Sequence, residues 1–461
     1  MHSFISLIYY MFKEAVAPAL AGAAIGGVLL ALLRQKRRRE GAGFSPLQGA
    51  AIVLLFCYLG GLSAVTVLHR TVGTPWVQAH LFRAFWEAWN TFTLQIWLNP
   101  LLNIAMFLPL GVLLPLAARP FRRWYWTLAA GAGGSFVIEA LQYILQRGAA
   151  DVDDLFCNTL GAMLGYCLCM FVVCLAEKRW KPAGGCAVLP VLSAAFLAGV
   201  FLVYQFQPYG NLAGTPAFAA DTSSTKWVLE CELSDEPGPA GVYWAEPFTK
   251  ESCDEFALAF ARRQGVDVED EYFDIDYYDN TAYYSNHRTF SLIVDYNDRS
   301  YSYSTSSEGF SYDDAGTATE EELRTALKAL DIEVPETAQF FDLGRSAYAF
   351  RADRIEGDGT LTDGELECWV KKDGTIYQVD NALSTSTLHG DAAVISEAEA
   401  YNRLRAGRFS AAEAFEYFDP AEVHVTSCKL QYLIDTKGFR QPVYVFDMKE
   451  FDPVFVPALA G

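Results

Sequence analysis

The side chains with the most chemical potential in this 461-residue chain lie between residues 103 and 158, in stretches that are otherwise apolar. They are Asn103 and Pro109 in NPLLNIAMFLPLG, Glu139 and Gln142 in SFVIEALQ, and Arg147, Asp151, Asp153, Asp154 and Asn158 in RGAADVDDLFCNTLG. Ionisable groups are costly in hydrocarbon, so such residues face a bundle interior or water and mark functional positions. A set of carboxylates, one Arg and carboxamides suits a phosphate-bearing lipid. Arg147 would pair bidentately with phosphate, and Asp151 with Asp154 would hold a bridging divalent cation. Asn103, Gln142 and Asn158 would complete the ligand site, and a partly desolvated Glu139 would act as a general base. The same residues also have a purely structural reading: Glu139 pairs with Arg147, and the asparagines bond between helices. The sequence leaves both open, and with them whether any reaction is catalysed.

These residues need helices to hold them. Hydrophobic residues make up 52% of the chain, and apolar runs near the roughly 20 residues that cross a bilayer recur six times. The runs are about 15–33, 47–68, 99–118, 124–145, 155–176 and 186–206. Basic residues cluster in RQKRRR (34–39), at Arg119, Arg122 and Arg123, and at Lys178, Arg179 and Lys181, whereas the alternate segments hold Lys13, Arg70, Arg83 and Arg147. By the positive-inside rule the clustered side is cytoplasmic. The amino terminus, the 69–98 and 146–154 segments and everything after 206 are then expected outside. A signal peptide is a poor alternative for the first run, because its basic cluster follows the apolar stretch. Trp76, Phe82, Phe85, Trp86, Trp89, Phe92 and Trp97 make 69–98 an interfacial aromatic segment or, alternatively, a soluble helix packed on the outer domain. The topology brings Asn103, Glu139 and Asn158 to one level, the outer leaflet.

Asp154, Asn158, Gly161 and Gly165 share one helical face, and Gly161 with Gly165 lets another helix approach closely. Glu139 and Gln142 likewise share a face. The ordered set Asn103, Pro109, Gly111, Glu139, Gln142, Arg147, Asp151, Asp154, Asn158 and Gly161 resembles the VanZ-like membrane proteins over about residues 50–176. The segment from Arg147 to Asp154 is a residue longer than the commonest form. The namesake of that family is associated with resistance to the glycopeptide teicoplanin, so the resemblance implies a role at the bacterial cell envelope. It implies no reaction.

Charge divides the chain. Its net −20 is the balance of a basic first half and a strongly acidic second half, which argues against a nucleic-acid partner. Residues 207–224 read as a Gly, Pro and Ser-containing linker. After it, period-two stretches at 290–304, 347–355 and 365–383 alternate with amphipathic helical patterns at 252–264, 318–330 and 396–409, with Thr319 and Ser396 as N-caps and a turn at Asp373-Gly374. This is an α+β domain over 225–461 containing two portions alike in order. Its end, from SEAEAYNRLRAGRF to QPVYVFDM, is similar to extracytoplasmic domains of the PepSY and YycI kind, which implies binding or regulation.

Other motifs carry less. EGDGTLTDGELE (356–367) resembles a calcium loop, with Asp358, Gly359, Leu361 and Glu365 at fitting positions, but Arg354 would occupy its first position and repel the ion. A polar turn between strands is expected instead. EDEYFDIDYYD (269–279) reads as a strand with one solvated face. His2, His69, His80, His287, His389 and His424 are dispersed, and no Walker, nucleophile-elbow or dinucleotide fingerprint is present. Cys57, Cys157, Cys167, Cys169, Cys174 and Cys186 are expected as packing residues in the spans. Cys231, Cys253, Cys368 and Cys428 could pair, with Cys231 and Cys253 nearest in sequence.

The expectation is therefore an N-terminal all-α transmembrane bundle of about six spans followed by an α+β extracytoplasmic domain, in a multi-pass bacterial plasma-membrane protein. Residues 1–46 hold the first span and a cytoplasmic basic loop, 47–176 the VanZ-like domain, and 177–206 a cytoplasmic loop and the last span. The partners expected are the bilayer and a lipid-linked or phosphate-bearing envelope lipid. A second reading is a non-catalytic sensor or scaffold whose acidic domain binds a wall component or cationic peptide. A transporter is disfavoured by the lack of an inverted repeat of broken helices.

Overall fold

The computed structural model describes the chain except residues 1, 40–42, 69–71, 75, 279, 287–288, 306–314, 356–358 and 461, and except the side chains of 2–12, 354, 413 and 416. His2, His69, Arg70, Asp279, His287, Arg354 and Asp358, named above, therefore fall outside the described residues or side chains. The chain forms two compact units, one of residues 3–88 with 94–207 and the other chiefly of residues 208–461.

The first unit is helical. It contains α1 (His2–Arg39), α2 (Pro46–Ser63), α3 (Arg83–Thr91), α4 (Leu94–Ala117), α5 (Trp124–Ile144), α6 (Val152–Ala176) and α7 (Trp180–Phe206). A π-helical turn, Ala64–Leu68, extends α2, and two short strands, β1 (Val77–Gln78) and β2 (Ala150–Asp151), pair in parallel. Five segments are long and apolar enough to cross a membrane: 13–39, 46–68, 94–117, 152–176 and 180–206. The stretch 124–144 is helical as expected but is not one of these, because Gly, Ser, Glu139 and Gln142 dilute its apolar content. A span's surface should be apolar where lipid would lie, and α7 exposes Val191, Phe196, Leu202 and Phe206.

Close packing of α4 on α6 follows from three glycines. A Cβ on Gly161 would lie 2.1 Å from the Ile104 carbonyl oxygen, one on Gly165 2.1 Å from that of Leu108, and one on Gly111 1.9 Å from that of Ala162. The two backbones are thus in contact, which a larger residue at any of these positions forbids. Phe107, Leu110, Leu114 and Ala162 fill the seam beside Leu62 of α2.

The second unit is a fourteen-stranded sheet with helices packed on it. It opens with β3 (Lys226–Leu229), β4 (Ala240–Trp244) and α8 (Lys250–Arg263), then β5 (Phe273–Tyr277), β6 (Thr281–Asn286), β7 (Phe290–Asp295) and β8 (Tyr301–Ser304). Next come α9 (Glu320–Ala329), β9 (Gln339–Gly344), β10 (Ala347–Ile355), β11 (Thr360–Val370), β12 (Ile376–Asn381) and β13 (Ser384–Ala392). It closes with α10 (Glu397–Arg405), α11 (Ala412–Phe418), β14 (Glu422–Ile434), β15 (Phe439–Met448) and β16 (Val454–Pro457). The strand order is β3-β14-β15-β4-β13-β11-β12-β8-β7-β6-β5, with β10 and then β9 joined through β11, and β16 beside β15. Thr319 and Ser396 cap α9 and α10, and Gly374, at φ +81°, makes the β11–β12 turn.

Two separate cores hold this sheet. One packs Phe260 and Leu327 of the helices on Tyr284, Phe290, Phe350 and Leu366, and the other gathers Leu404, Phe409, Val425, Phe446 and Val456. Cys253 lies in the first and Cys231 packs on the second, and both are free thiols. The nearest-neighbour pairing is thus corrected: sequence distance does not bring together residues that fold into different cores. Residues 208–212 also depart from a loose linker. The buried Asp435 accepts the Gly210 N–H at 2.6 Å, and Asn211 exchanges hydrogen bonds with Thr436, so this stretch is fastened to the turn between β14 and β15.

Candidate functional site

The polar residues converge where α2 and α5 end and α6 begins. Asp151 is the N-cap of α6, its carboxylate accepting the Asp153 N–H at 2.7 Å, while its own N–H is accepted by Glu139 at 3.0 Å. Asn103 of α4 donates to Asp154 of α6. Asn158 Nδ2 donates to Ser135 Oγ at 3.0 Å, tying α6 to α5. Gln142 donates to the Thr66 carbonyl at 2.8 Å, and Arg147 Nη1 donates to the carbonyls of Val67, at 3.0 Å, and Leu68. The π-helical turn supplies those carbonyls. Helix termini leave such groups without intrahelical partners.

Asp151 is extended and precedes α6, while Asp153 and Asp154 are successive helical residues about 100° apart, so the three point in different directions. Asp153 is 1% exposed and turns toward α3, where it accepts the N–H groups of Phe82 and, at 2.8 Å, Ala84. It caps that helix from another segment, a role that spacing did not reveal. The β1–β2 pair and the bond from Gly73 N to the Gln146 carbonyl, 2.8 Å, add to the same latch between residues 73–84 and 146–153. Burial pushes the Asp151 carboxyl upward; the Asp153 N–H opposes the rise and the Asp153 charge adds to it.

Glu139, Gln142 and Asn158 are 6%, 1% and 2% exposed, whereas Asn103, Asp151 and Asp154 are half-buried. The set thus has a buried floor and a more open rim. Two floor acceptors, Gln142 Oε1 and Asn158 Oδ1, have no hydrogen-bond partner among the described residues. Only an amide nitrogen can bond the Thr66 carbonyl, which fixes the orientation of Gln142 and makes its Oε1 a true orphan. A buried acceptor without a donor costs about 1–3 kcal/mol, the kind of debt a ligand can cancel. Both bonds described for Arg147 use Nη1, so its Nε–Nη2 edge is the side to offer a bidentate anion. Among the described residues no group of three or more His, Cys, Asp or Glu could hold a metal ion. Any divalent cation at Asp151 and Asp154 would need oxygens beyond the protein's carboxylates. Sequence reasoning named seven members of this set. It named Asp153 without giving it a role and passed over Ser135 and Thr66, because their contacts depend on which helices meet.

Apolar helices closed around a buried polar floor define a multi-pass membrane protein. Residues 50–173 match the VanZ/LLP1 family model, so the bundle contains a VanZ-like domain. No curated protein is significantly similar to the chain. Among solved structures the chain is similar to an uncharacterized protein from Eubacterium rectale, at 12% identity over 48% of this chain and 82% of that one, with a TM-score of 0.27.

Proposed function

We propose that the VanZ-like domain binds an envelope lipid whose headgroup carries a phosphate and hydroxyls, at the outer leaflet of the bacterial plasma membrane. The unpartnered Gln142 Oε1 beside Glu139 is the observation that carries this reading, since it calls for a hydroxyl donor where the Arg147 edge calls for an anion. Asn103, Asp151, Asp154 and Asn158 line the rest, and a divalent cation would join the phosphate to Asp151 and Asp154. Glu139 is placed to take a proton from a hydroxyl if the site catalyses. Binding of such lipids would alter access to wall precursors and so susceptibility to teicoplanin-type glycopeptides. With 124–144 crossing as a less apolar sixth span, the positive-inside charge pattern supports an outward-facing site and an extracytoplasmic sheet unit.

The test is binding of phosphatidylglycerol and a polyprenyl phosphate to the purified full chain, with phosphatidylcholine as control and with and without magnesium. Arg147→Lys keeps the charge but loses the fork, and Glu139→Gln removes the base. Arg147→Lys should weaken binding at least tenfold; equal affinity for all three lipids in wild type and variant sinks the proposal. The acidic balance of residues 207–461 supports a second reading, a sensor of cationic compounds. Deleting 207–461 separates the two, because a resistance phenotype that survives deletion resides in the bundle.

A further inference from the structure

Along one face of β10 and β11 three cross-strand pairs follow one another: Ile355 with Leu361, Asp353 with Asp363, and Arg351 with Glu365. Opposite residues in such a pair have Cβ atoms about 4.5–5.5 Å apart, and like charges there are destabilising. The Arg351 fork closes on Glu365 at 2.9 and 3.1 Å, so that pair is matched. Asp353 with Asp363 is not. Gly364 holds the mismatch in place: its backbone, at φ +107°, packs on Ala382, and a Cβ there would lie 2.1 Å from the Ala382 carbonyl oxygen.

Arg440 of β15 answers half of this charge. Its Nη1 lies 2.8 Å from Asp363 Oδ2, its Nε donates to Ser386 Oγ at 3.2 Å, and its Nη2 donates to Ser384 Oγ. With every nitrogen engaged, the buried guanidinium is held on Asp363. Asp353 is exposed and takes no ion pair among the described residues. Two carboxylates against one guanidinium leave one negative charge. An independent feature points the same way: Asp363 is 9% exposed, yet its Oδ1 has no hydrogen-bond partner among the described residues. A buried acceptor of this kind calls for a donor. Tyr432 flanks the pair. Pushed up to about 12 by burial and by Tyr243, whose ring is 5.1 Å away, it also feels the Asp353 charge. An aromatic ring adds attraction for a cation. A primary ammonium group answers these demands together, with one positive charge and three N–H donors. A divalent ion does not, because one charge is left uncompensated and, among the described residues, no group of three His, Cys, Asp or Glu could hold it.

We infer that Asp353 and Asp363, with Tyr432 beside them, form a binding site for a primary ammonium group, carried by a small amine or by a lysyl side chain. The site rests on the sensor reading of the acidic unit and deepens it by naming the cation and the residues that recognise it. It does not depend on the lipid site proposed for the bundle.

The test is calorimetric titration of the full chain in detergent at pH 7.5, above the value of about 6 to which burial raises Asp363. Salt at about 0.15 M, with a Debye length of about 8 Å, suppresses diffuse attraction to the acidic unit. The probes are n-butylammonium and Nα-acetyl-lysine methylamide, one for each source, and tetramethylammonium supplies the same charge without N–H donors. Saturable binding of at least one primary ammonium, at least tenfold tighter than tetramethylammonium, is expected, and the tighter probe identifies the source. Asp353→Asn, at an exposed position that folding tolerates, should weaken binding at least tenfold. Asp363→Asn should do the same, since it keeps an oxygen for Arg440 and turns an amide donor toward the ligand. Asp391→Asn, an exposed charge at the far end of β13, should leave binding unchanged. No saturable binding, equal affinity for tetramethylammonium, or equal weakening by Asp391→Asn overturns the inference. Binding of a cationic peptide that is lost on deleting 207–461 but unchanged in Asp353→Asn overturns this site and leaves the sensor reading standing.

Discussion

Replacing Asp153 by alanine removes the acceptor for the first amides of α3 while keeping the backbone N–H that Asp151 accepts. The wild-type carboxylate is 1% exposed and receives the N–H groups of Phe82 and Ala84. Hydrogen bonds to charged groups contribute about 1.5–3 kcal/mol each, and loss of a helix N-cap typically costs about 0.5–2 kcal/mol. When α3 frays its amides regain water, so the loss falls near about 2–3 kcal/mol, or roughly 30- to 150-fold in local opening. Hydrogen exchange read by mass spectrometry on the full chain in nanodiscs measures this. Peptides covering 82–88 should exchange faster by that factor in Asp153→Ala, and peptides from α8 should not change. Asp153→Asn keeps one oxygen acceptor and should fall between. Unchanged exchange over 82–88, or acceleration spread evenly over α4 and α6, would refute the capping argument.

The α4–α6 seam should be intolerant where backbone meets backbone: Gly161→Val should abolish the folded chain in detergent size-exclusion profiles, while Gly133→Ala, with nothing within 4 Å, should be neutral. In the sheet unit, burial raises Asp363 to about 6 although Arg440 lies 2.8 Å away. Its folded value exceeds the unfolded one, so its contribution to stability is present at low pH and lost as pH rises through about 6. The thermal stability of wild type relative to Asp363→Asn should therefore fall by about 1.4 kcal/mol between pH 5 and pH 7.5, the rest of the loss lying below pH 5; a difference independent of pH contradicts this. Asp435→Ala removes the acceptor of three backbone donors, the N–H groups of Gly210, Lys437 and Phe439, and one of two acceptors of the Gln441 amide, and should expose residues 208–212 to limited proteolysis. Non-reducing peptide maps should show Cys231 and Cys253 unbridged.

Much of this protein is written in local pattern. Apolar runs of membrane length, Thr319 and Ser396 at helix starts, and the Asp373-Gly374 turn each depend on neighbours within a few residues, so they are legible without a fold. The motif from Asn103 to Gly161 was equally visible, because order along the chain is all that such a pattern needs. Whether 124–144 is apolar enough to stand alone as a span was less legible, since its polar residues are the ones turned inward on α6 and the π-helical turn.

The division of labour among the motif residues belongs to tertiary structure. Three aspartates within four positions are chemically alike in sequence, yet one caps its own helix, one caps α3 and one takes Asn103. Arg147, read as a partner for phosphate or Glu139, spends one nitrogen on the carbonyls that the π-helical turn leaves open. Hydrogen-bond partners far apart in the chain are set by which helices meet, and that depends on the close approach at Gly111, Gly161 and Gly165. Composition determined that there would be a polar site in an apolar bundle and an acidic sheet unit after it. Only packing decided which of the polar groups are spent on the fold and which acceptors are left without a donor among the described residues.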